Sequence, residues 1–230
     1  MNVSAPAVLT GIRAAIIDLD GTMVHTAPDL HVAINRMRQD LDLQPLSIET
    51  ITDFVGQGTE NLMRRVLGVD FGPQEVEIHF PQALASYQRH YVAINGNYSS
   101  VYPGVHKGLD ALQRKGLRLA CVTNKPIAFA LPLLEKTGLR HYFELVYGGD
   151  SLPKKKPDPY PLLQVCADFA LQPSCVVAIG DSSNDARAAR AAGCRVLNVP
   201  YGYNHGESIQ TVDSDGIVPT LLDAAHLISA

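Results

Sequence analysis

Ala14-Ala15-Ile16-Ile17-Asp18-Leu19-Asp20-Gly21-Thr22 joins four apolar residues directly to a pair of carboxylates. An apolar run that stops abruptly in polar residues reads as a buried parallel strand. Four more runs of this kind follow: Leu117 to Val122, Leu145 to Tyr147, Cys175 to Ile179 and Val196 to Val199. Between them lie helical patterns at Val105 to Lys115, Ile127 to Thr137, Tyr160 to Ala170 and Asp185 to Ala192. Strands alternating with helices predict an α/β fold with a Rossmann-like parallel sheet covered on both faces. Such sheets bind ligands at the carboxyl ends of their strands.

The first strand breaks the rhythm. Residues from Val24 to Ser100 hold no second buried strand and read as helices over Pro28 to Leu41, Thr59 to Leu67 and Pro73 to Ile94. Turn signals at Gly56-Gln57-Gly58, Asn95-Gly96-Asn97 and Tyr102-Pro103-Gly104 punctuate the segment. The expected organisation is therefore a discontinuous core, residues 1–23 and 101–230, with residues 24–100 inserted as an α-helical cap domain. A chain of 230 residues suits one core plus an insertion better than two full α/β domains.

Four polar clusters sit at expected strand ends or in the loops after them. Asp18 and Asp20, two apart, project to one side as the first strand ends, and Gly21 lets the backbone turn away. Neighbouring carboxylates repel, and a divalent cation relieves them; a solvated Asp-x-Asp-Gly turn is the plainer alternative. Thr123-Asn124 precede a Pro-started helix, which fits an ordinary N-cap and equally a hydroxyl and free N–H groups offered to an anion. Lys156 is fixed before Pro157-Asp158-Pro159, and Asp181 and Asp185 follow the fourth strand. Acid pair, hydroxyl, lysine and acid pair form the inventory needed to hold Mg²⁺ and a phosphoryl group, with one carboxylate left as nucleophile.

Composition narrows the partners. The chain is 46% hydrophobic and 18% charged with a net charge of −4, which excludes a mainly disordered chain. No basic face is visible beyond Lys154-Lys155-Lys156, which argues against a nucleic acid polymer. The four cysteines show no C-x-x-C spacing and read as buried free thiols of a reducing compartment. No leader pattern or long apolar span is legible, so a cytoplasmic protein without a membrane partner is expected. A monomer and a homodimer both fit the sequence.

The motifs D-x-D-G-T (Asp18 to Thr22), T-N (Thr123-Asn124), K-P-x-P (Lys156 to Pro159) and G-D-S-x-x-D (Gly180 to Asp185) resemble those of the haloacid dehalogenase-like phosphatase superfamily. Within it, Val55-Gly56-Gln57-Gly58, Val122 to Pro126, Gly148-Gly149-Asp150 and Tyr201 to Gly206 resemble the phosphoglycolate phosphatase family. The resemblance implies hydrolysis of a small phosphate monoester, 2-phosphoglycolate first, through an aspartyl-phosphate. It implies Asp18 as nucleophile, Asp20 as acid and base, and Mg²⁺ held by Asp18, Asp20 through its backbone carbonyl, and Asp181, with support from Asp185. Thr123, Asn124 and Lys156 would bind the phosphoryl group, and Gln57, Arg64 and Arg65 are the cap candidates for reading the substrate. His25-Thr26 stands where many relatives carry an acidic residue and Ser or Thr, which bears on the cap hinge.

Two relatives are disfavoured by the residues present. A dehalogenase lacks the second carboxylate, here Asp20, and a phosphonate-cleaving enzyme needs a cap lysine, whereas the first lysine here is Lys107. A sugar-phosphate phosphatase or mutase remains as an enzymatic alternative. A phospho-accepting signalling domain or a catalytically silent domain is the alternative of another class.

Overall fold

The computed structural model describes residues 8–229. In chain order the elements are β1 (Ala14–Ile17), β2 (Val24–His25), α1 (Ala27–Asp40), α2 (Ile48–Phe54), α3 (Thr59–Leu67), α4 (Pro73–Ile94) and β3 (Ser100–Val101). There follow α5 (Val105–Arg114), β4 (Arg118–Val122), α6 (Ile127–Lys136), β5 (Leu145–Tyr147), α7 (Tyr160–Asp168) and β6 (Val176–Gly180). The chain closes with α8 (Ser183–Ala192), β7 (Arg195–Asn198), β8 (Gly216–Ile217) and α9 (Leu221–Leu227).

Six strands form one parallel sheet in the order β5-β4-β1-β6-β7-β8. All four residues of β1 are buried, as a strand covered on both faces requires. Side chains alternate between two cores with period two. Ala15, Ile17, Leu119, Cys121, Val177 and Ile179 pack beneath α5, α6 and α9, whereas Ala14, Ile16, Ala120, Val122, Val176 and Ala178 pack beneath α7 and α8. Because β4 lies on one side of β1 and β6 on the other, a crevice opens above their carboxyl ends, where such folds place their ligands.

Helices α1 to α4 share a separate hydrophobic cluster built on Leu30, Ile34, Met37, Met63, Val66 and Tyr87, among others. Two core residues, Phe129 and Tyr203, join that cluster. The helices are entered through β2 and left through β3, which pair antiparallel with Val24 opposite Val101 and His25 opposite Ser100. Buried Asp29 ties the start of α1 to the end of α4 by accepting from Gly96 N (2.6 Å), Tyr98 N (2.7 Å) and Ser99 Oγ. Arg38, also buried, pairs with Asp70 (2.8 Å) and donates to the Gln44 and Val66 carbonyls. No helix of the described residues is long and apolar enough to cross a membrane.

Sequence patterning did not reveal α2, α9, β2, β3 or β8. The strands have two residues each, and α2 is a seven-residue helix, Ile-Glu-Thr-Ile-Thr-Asp-Phe, rich in β-branched residues. Its start depends on local chemistry: Ser47 caps it by accepting from Thr50 N.

Candidate active site

Three strand ends and one loop converge. Asp18 follows β1, with its N–H donating to the Ile179 carbonyl at 3.0 Å. Thr123 follows β4, Asp181 follows β6, and Lys156 comes from the loop after β5. The chain turns away from Asp18 through Gly21 at φ +82°, where a Cβ would stand 2.2 Å from Asp181 Oδ2. Only glycine serves there, for conformation and for space. Thr22, just beyond the turn, donates from Oγ1 to Asp181 Oδ1 (2.5 Å), and Tyr203 N donates to Oδ2 (2.5 Å).

Carboxylate oxygens of Asp18, Asp181 and Asp185 lie within 4.8 Å of one another. Lys156 Nζ stands 2.9 Å from Asp18 Oδ1 and 2.6 Å from Asp185 Oδ1, and donates to the Val122 carbonyl at 2.7 Å. The contact with Asp18 is not aligned as a hydrogen bond, so that buried oxygen lacks a hydrogen-bond partner. Asp185 Oδ2 accepts from Ser182 N and Oγ, closing a capping box at the start of α8.

Crowding and burial shift the titration of this cluster. Burial first, then Asp185 and Asp20, push the Asp18 carboxyl up to about 7 against the pull of Lys156. Burial, Asp18 and Asp185 likewise hold Asp181 well above the usual carboxylate range. For Lys156, burial favours the neutral amine, but Asp18 and Asp185 outweigh it and the net displacement is upward. Clustered oxygen donors, an unpartnered carboxylate oxygen and mutual repulsion fit a hard divalent cation.

Asp20 faces away from this cluster. Lys125 Nζ donates to its Oδ1 at 2.9 Å, and Thr123 Oγ1 lies 3.5 Å from its Oδ2. The cavity above the carboxylates measures about 60 Å³. Asp18, Asp20, Thr123, Lys156, Asp181 and Asp185 all line it, so the core residues singled out in the sequence do meet. Its opposite wall is apolar, made by Leu30, Val55, Leu62, Tyr87, Tyr91 and Phe129.

Three residues expected in the site lie outside the cavity, and a fourth, Asn124, lines it with its side-chain donors already engaged. The Asn124 amide nitrogen donates to the Gly56 carbonyl (2.9 Å) and the Lys156 carbonyl (2.8 Å), which uses both its N–H groups and leaves none for a phosphoryl oxygen. Arg64 pairs with Glu77 (2.8 Å) and stacks on Phe80, and Arg65 donates to the Asp53 carbonyl (2.9 Å) and stacks on Phe54. Gln57 lines, with Arg64, a wider neighbouring groove rather than the cavity. Partners on α4 thus capture Arg64, and partners on α2 capture Arg65.

Residues without an expected role act instead. Asn184 joins Asn124 in donating to Gly56 (3.1 Å), so two amides, one after β4 and one at the start of α8, hold the carbonyl that leads from α2 to α3. That carbonyl belongs to a glycine at φ +114° whose Cβ would stand 2.5 Å from the His205 ring. Tyr203 links the carboxylate cluster to the hinge, since its hydroxyl accepts from Ala27 N (3.0 Å) and lies 2.8 Å from His25 Nδ1. His25 also reaches the Tyr102 hydroxyl (3.1 Å), so it joins the end of β2, just before α1, to the segment after β3. The aromatic Tyr201-Gly202-Tyr203 run was the sequence signal for this link.

A parallel sheet with an acidic crevice, a buried lysine and an inserted helical segment defines a class of phosphotransfer hydrolases. A family model described as haloacid dehalogenase-like hydrolase matches residues 15–199, and the chain belongs to that family. It is 47% identical over 218 residues to a phosphoglycolate phosphatase of Thiobacillus denitrificans, covering 95% of this chain and 96% of that protein. It is 49% identical over 217 residues to a phosphoglycolate phosphatase of Nitrosospira multiformis, covering 94% and 96%. The crystal structure of a predicted phosphoglycolate phosphatase from Haemophilus somnus superposes with a TM-score of 0.89 at 33% identity, covering 95% of this chain and 99% of that one.

Proposed function

We propose that the protein is a Mg²⁺-dependent phosphatase that converts 2-phosphoglycolate and water to glycolate and phosphate. The observation that carries the chemistry is the Asp18 carboxylate, its Oδ1 close to Lys156 yet without a hydrogen-bond partner, at the floor of a small cavity. The named relatives support the substrate.

Asp18 attacks phosphorus, the bond from phosphorus to the ester oxygen breaks, and Asp20 protonates the departing alkoxide. Asp20 then takes a proton from water as its oxygen attacks the aspartyl-phosphate, the bond from phosphorus to Asp18 breaks, and phosphate leaves. Thr123 and Lys156 neutralise the phosphoryl oxygens, and Asp18, Asp181 and the Asp20 backbone carbonyl would hold the metal with Asp185 beside them. The ion, when bound, supplies charge stabilisation at the phosphoryl group. Residues 24–100 serve as a cap that excludes water and whose closure completes the cavity.

Phosphate release from 2-phosphoglycolate and from hexose and pentose phosphates, each with Mg²⁺ or chelator, tests this reading. The expected result is a preference of about tenfold or more for 2-phosphoglycolate in kcat/KM, equivalent to about 1.4 kcal/mol, and no turnover with chelator. Equal rates on sugar phosphates would transfer the enzyme to the sugar-phosphate branch. Recovery of an isomerised phosphate ester in place of free phosphate would make it a mutase.

The carboxylate cluster also sets a pH dependence of stability. A carboxyl raised from 3.8 to about 7 in the fold, as for Asp18, makes the native state bind more protons than the unfolded chain between those values. Stability without metal therefore falls as pH rises through that window, and the shift of Asp181 has the same sign. In chelator the melting temperature of wild type, taken relative to Asp18→Asn, is expected to be lower at pH 8 than at pH 5.5 by about 5 °C. The comparison cancels the opposite contribution of His25 and His205, whose burial favours the neutral ring. Mg²⁺ should raise the wild-type value more at pH 8. Thermal melts of both proteins at the two pH values check this, and a wild-type melting temperature that climbs with pH relative to Asp18→Asn in chelator would contradict the cluster's electrostatics.

A further inference from the structure

The cavity has a second buried cation, to which the mechanism above gives no contact with the phosphoryl group. Among the described residues lining it, the only lysines or arginines are Lys125 and Lys156. Lys156 donates to Asp185 and the Val122 carbonyl, and its charge lies against Asp18 at 2.9 Å. Lys125, 8% exposed, has two hydrogen-bond partners among the described residues, Asp20 Oδ1 at 2.9 Å and the Tyr91 hydroxyl at 2.6 Å. One of its donors remains.

Its surroundings are apolar. Tyr91 stacks on Tyr87 and meets Phe129 edge-on, and Lys125 Nζ lies 4.8 Å from the Tyr91 ring centre. The charge is thus held by a core loop against a cap helix, inside the cavity and away from bulk water. A charge-assisted hydrogen bond is strongest in such a place.

Substrate geometry selects the same spot. In a two-carbon carboxylic ester the carboxylate is bonded to the carbon that carries the ester oxygen. The group that protonates that oxygen and the group that binds the carboxylate must then be neighbours, and Asp20 and Lys125 are hydrogen-bonded neighbours. The Tyr91 hydroxyl accepts from Lys125 and keeps its own proton, since burial holds that phenol well above its ordinary pKa, so it too can donate to an anion.

We propose that Lys125, steadied by Tyr91, is the residue that binds the carboxylate of the substrate and sets the preference for an anionic leaving group over a neutral one. This rests on the 2-phosphoglycolate reading above. It places substrate recognition on the core side of the cavity, where Gln57, Arg64 and Arg65 do not reach.

The test compares kcat/KM for 2-phosphoglycolate with that for ethyl phosphate, the same ester without the carboxylate, in wild type, Lys125→Met and Lys125→Gln. Any loss that comes through the contact of Lys125 with Asp20 falls on both esters alike, so the ratio of the two kcat/KM values is the readout. The ratio is expected to fall roughly 10- to 100-fold, as loss of a hydrogen bond between charged groups implies. Lys125→Arg, which keeps the charge, should recover part of it. Lys125→Gln can still hydrogen-bond to Asp20 and Tyr91 and decides the matter if Lys125→Met does not fold. A ratio unchanged in the neutral variants, beside a wild type that prefers 2-phosphoglycolate, overturns the role of Lys125 alone. A wild-type ratio near one overturns the substrate reading itself.

Discussion

Asp18→Asn is expected to abolish phosphate release, by about 10⁴-fold or more, while the protein stays folded and melts higher than wild type in chelator at pH 8. The loss follows from chemistry. An amide of the same shape occupies the same position but is no nucleophile toward phosphorus, and among the described residues no other carboxylate has both the position and a buried, unpartnered oxygen. The gain in melting temperature follows from electrostatics. Asp18 is harder to ionise in the fold than in solution, chiefly through burial, so its charge opposes folding above its raised pKa of about 7. Removing it also spares Asp181 a neighbouring negative charge. Lys156 keeps Asp185 and the Val122 carbonyl as partners. Steady-state release from 2-phosphoglycolate and a thermal melt, run on the same preparation, measure both effects. Turnover within tenfold of wild type would remove Asp18 from the nucleophile's position, and a lower melting temperature would refute the repulsion argued for the cluster.

The parts legible in the sequence were those written in contiguous residues. An apolar run ending in Asp18-x-Asp20-Gly21 carries its strand, its turn and its chemistry within nine positions, and the other strand ends do likewise. Helix α4 spans Pro73–Ile94 as its periodicity implies, with Pro81 inside it. What stayed hidden depends on contacts between distant segments. Lys125 follows Thr123-Asn124 in an ordinary-looking loop, and nothing nearby in sequence announces that Tyr91, from the cap, sits on its ammonium group. Thr22 and Tyr203 become orienters of Asp181 only once residues 159 and 22 positions away are folded against it. The arginines were misplaced for a related reason. A charge on a helix has a residue number, but its direction is set by Glu77, Phe80, Asp53 and Phe54, which compete for it.

Lys156→Met should have the largest effect on stability, with a melting temperature in chelator lower by roughly 10 °C, from a loss of about 3–5 kcal/mol. The lysine side chain is 4% exposed and touches two carboxylates, one of which, Asp185, is equally buried. Taking away the cation leaves those charges facing each other in a dry site together with an unpaired Val122 carbonyl, and breaking a buried pair costs far more than the pair contributes net. Turnover should fall as well, because the same ammonium group is the fixed positive charge beside the nucleophile. The two losses have different origins and can be separated. Adding Asp185→Asn to Lys156→Met removes one stranded charge and should restore part of the melting temperature, since a neutral amide is far easier to bury than an unpaired carboxylate. It should restore no activity, because the positive charge that balances phosphoryl oxygens is still missing. Melts and phosphate release on the single and double variants form the measurement. A single variant melting within about 2 °C of wild type, less than 1 kcal/mol for a domain of this size, would mean that water or relaxation already screens this cluster. Recovery of turnover in the double variant would show that Lys156 acts only as a structural counter-ion.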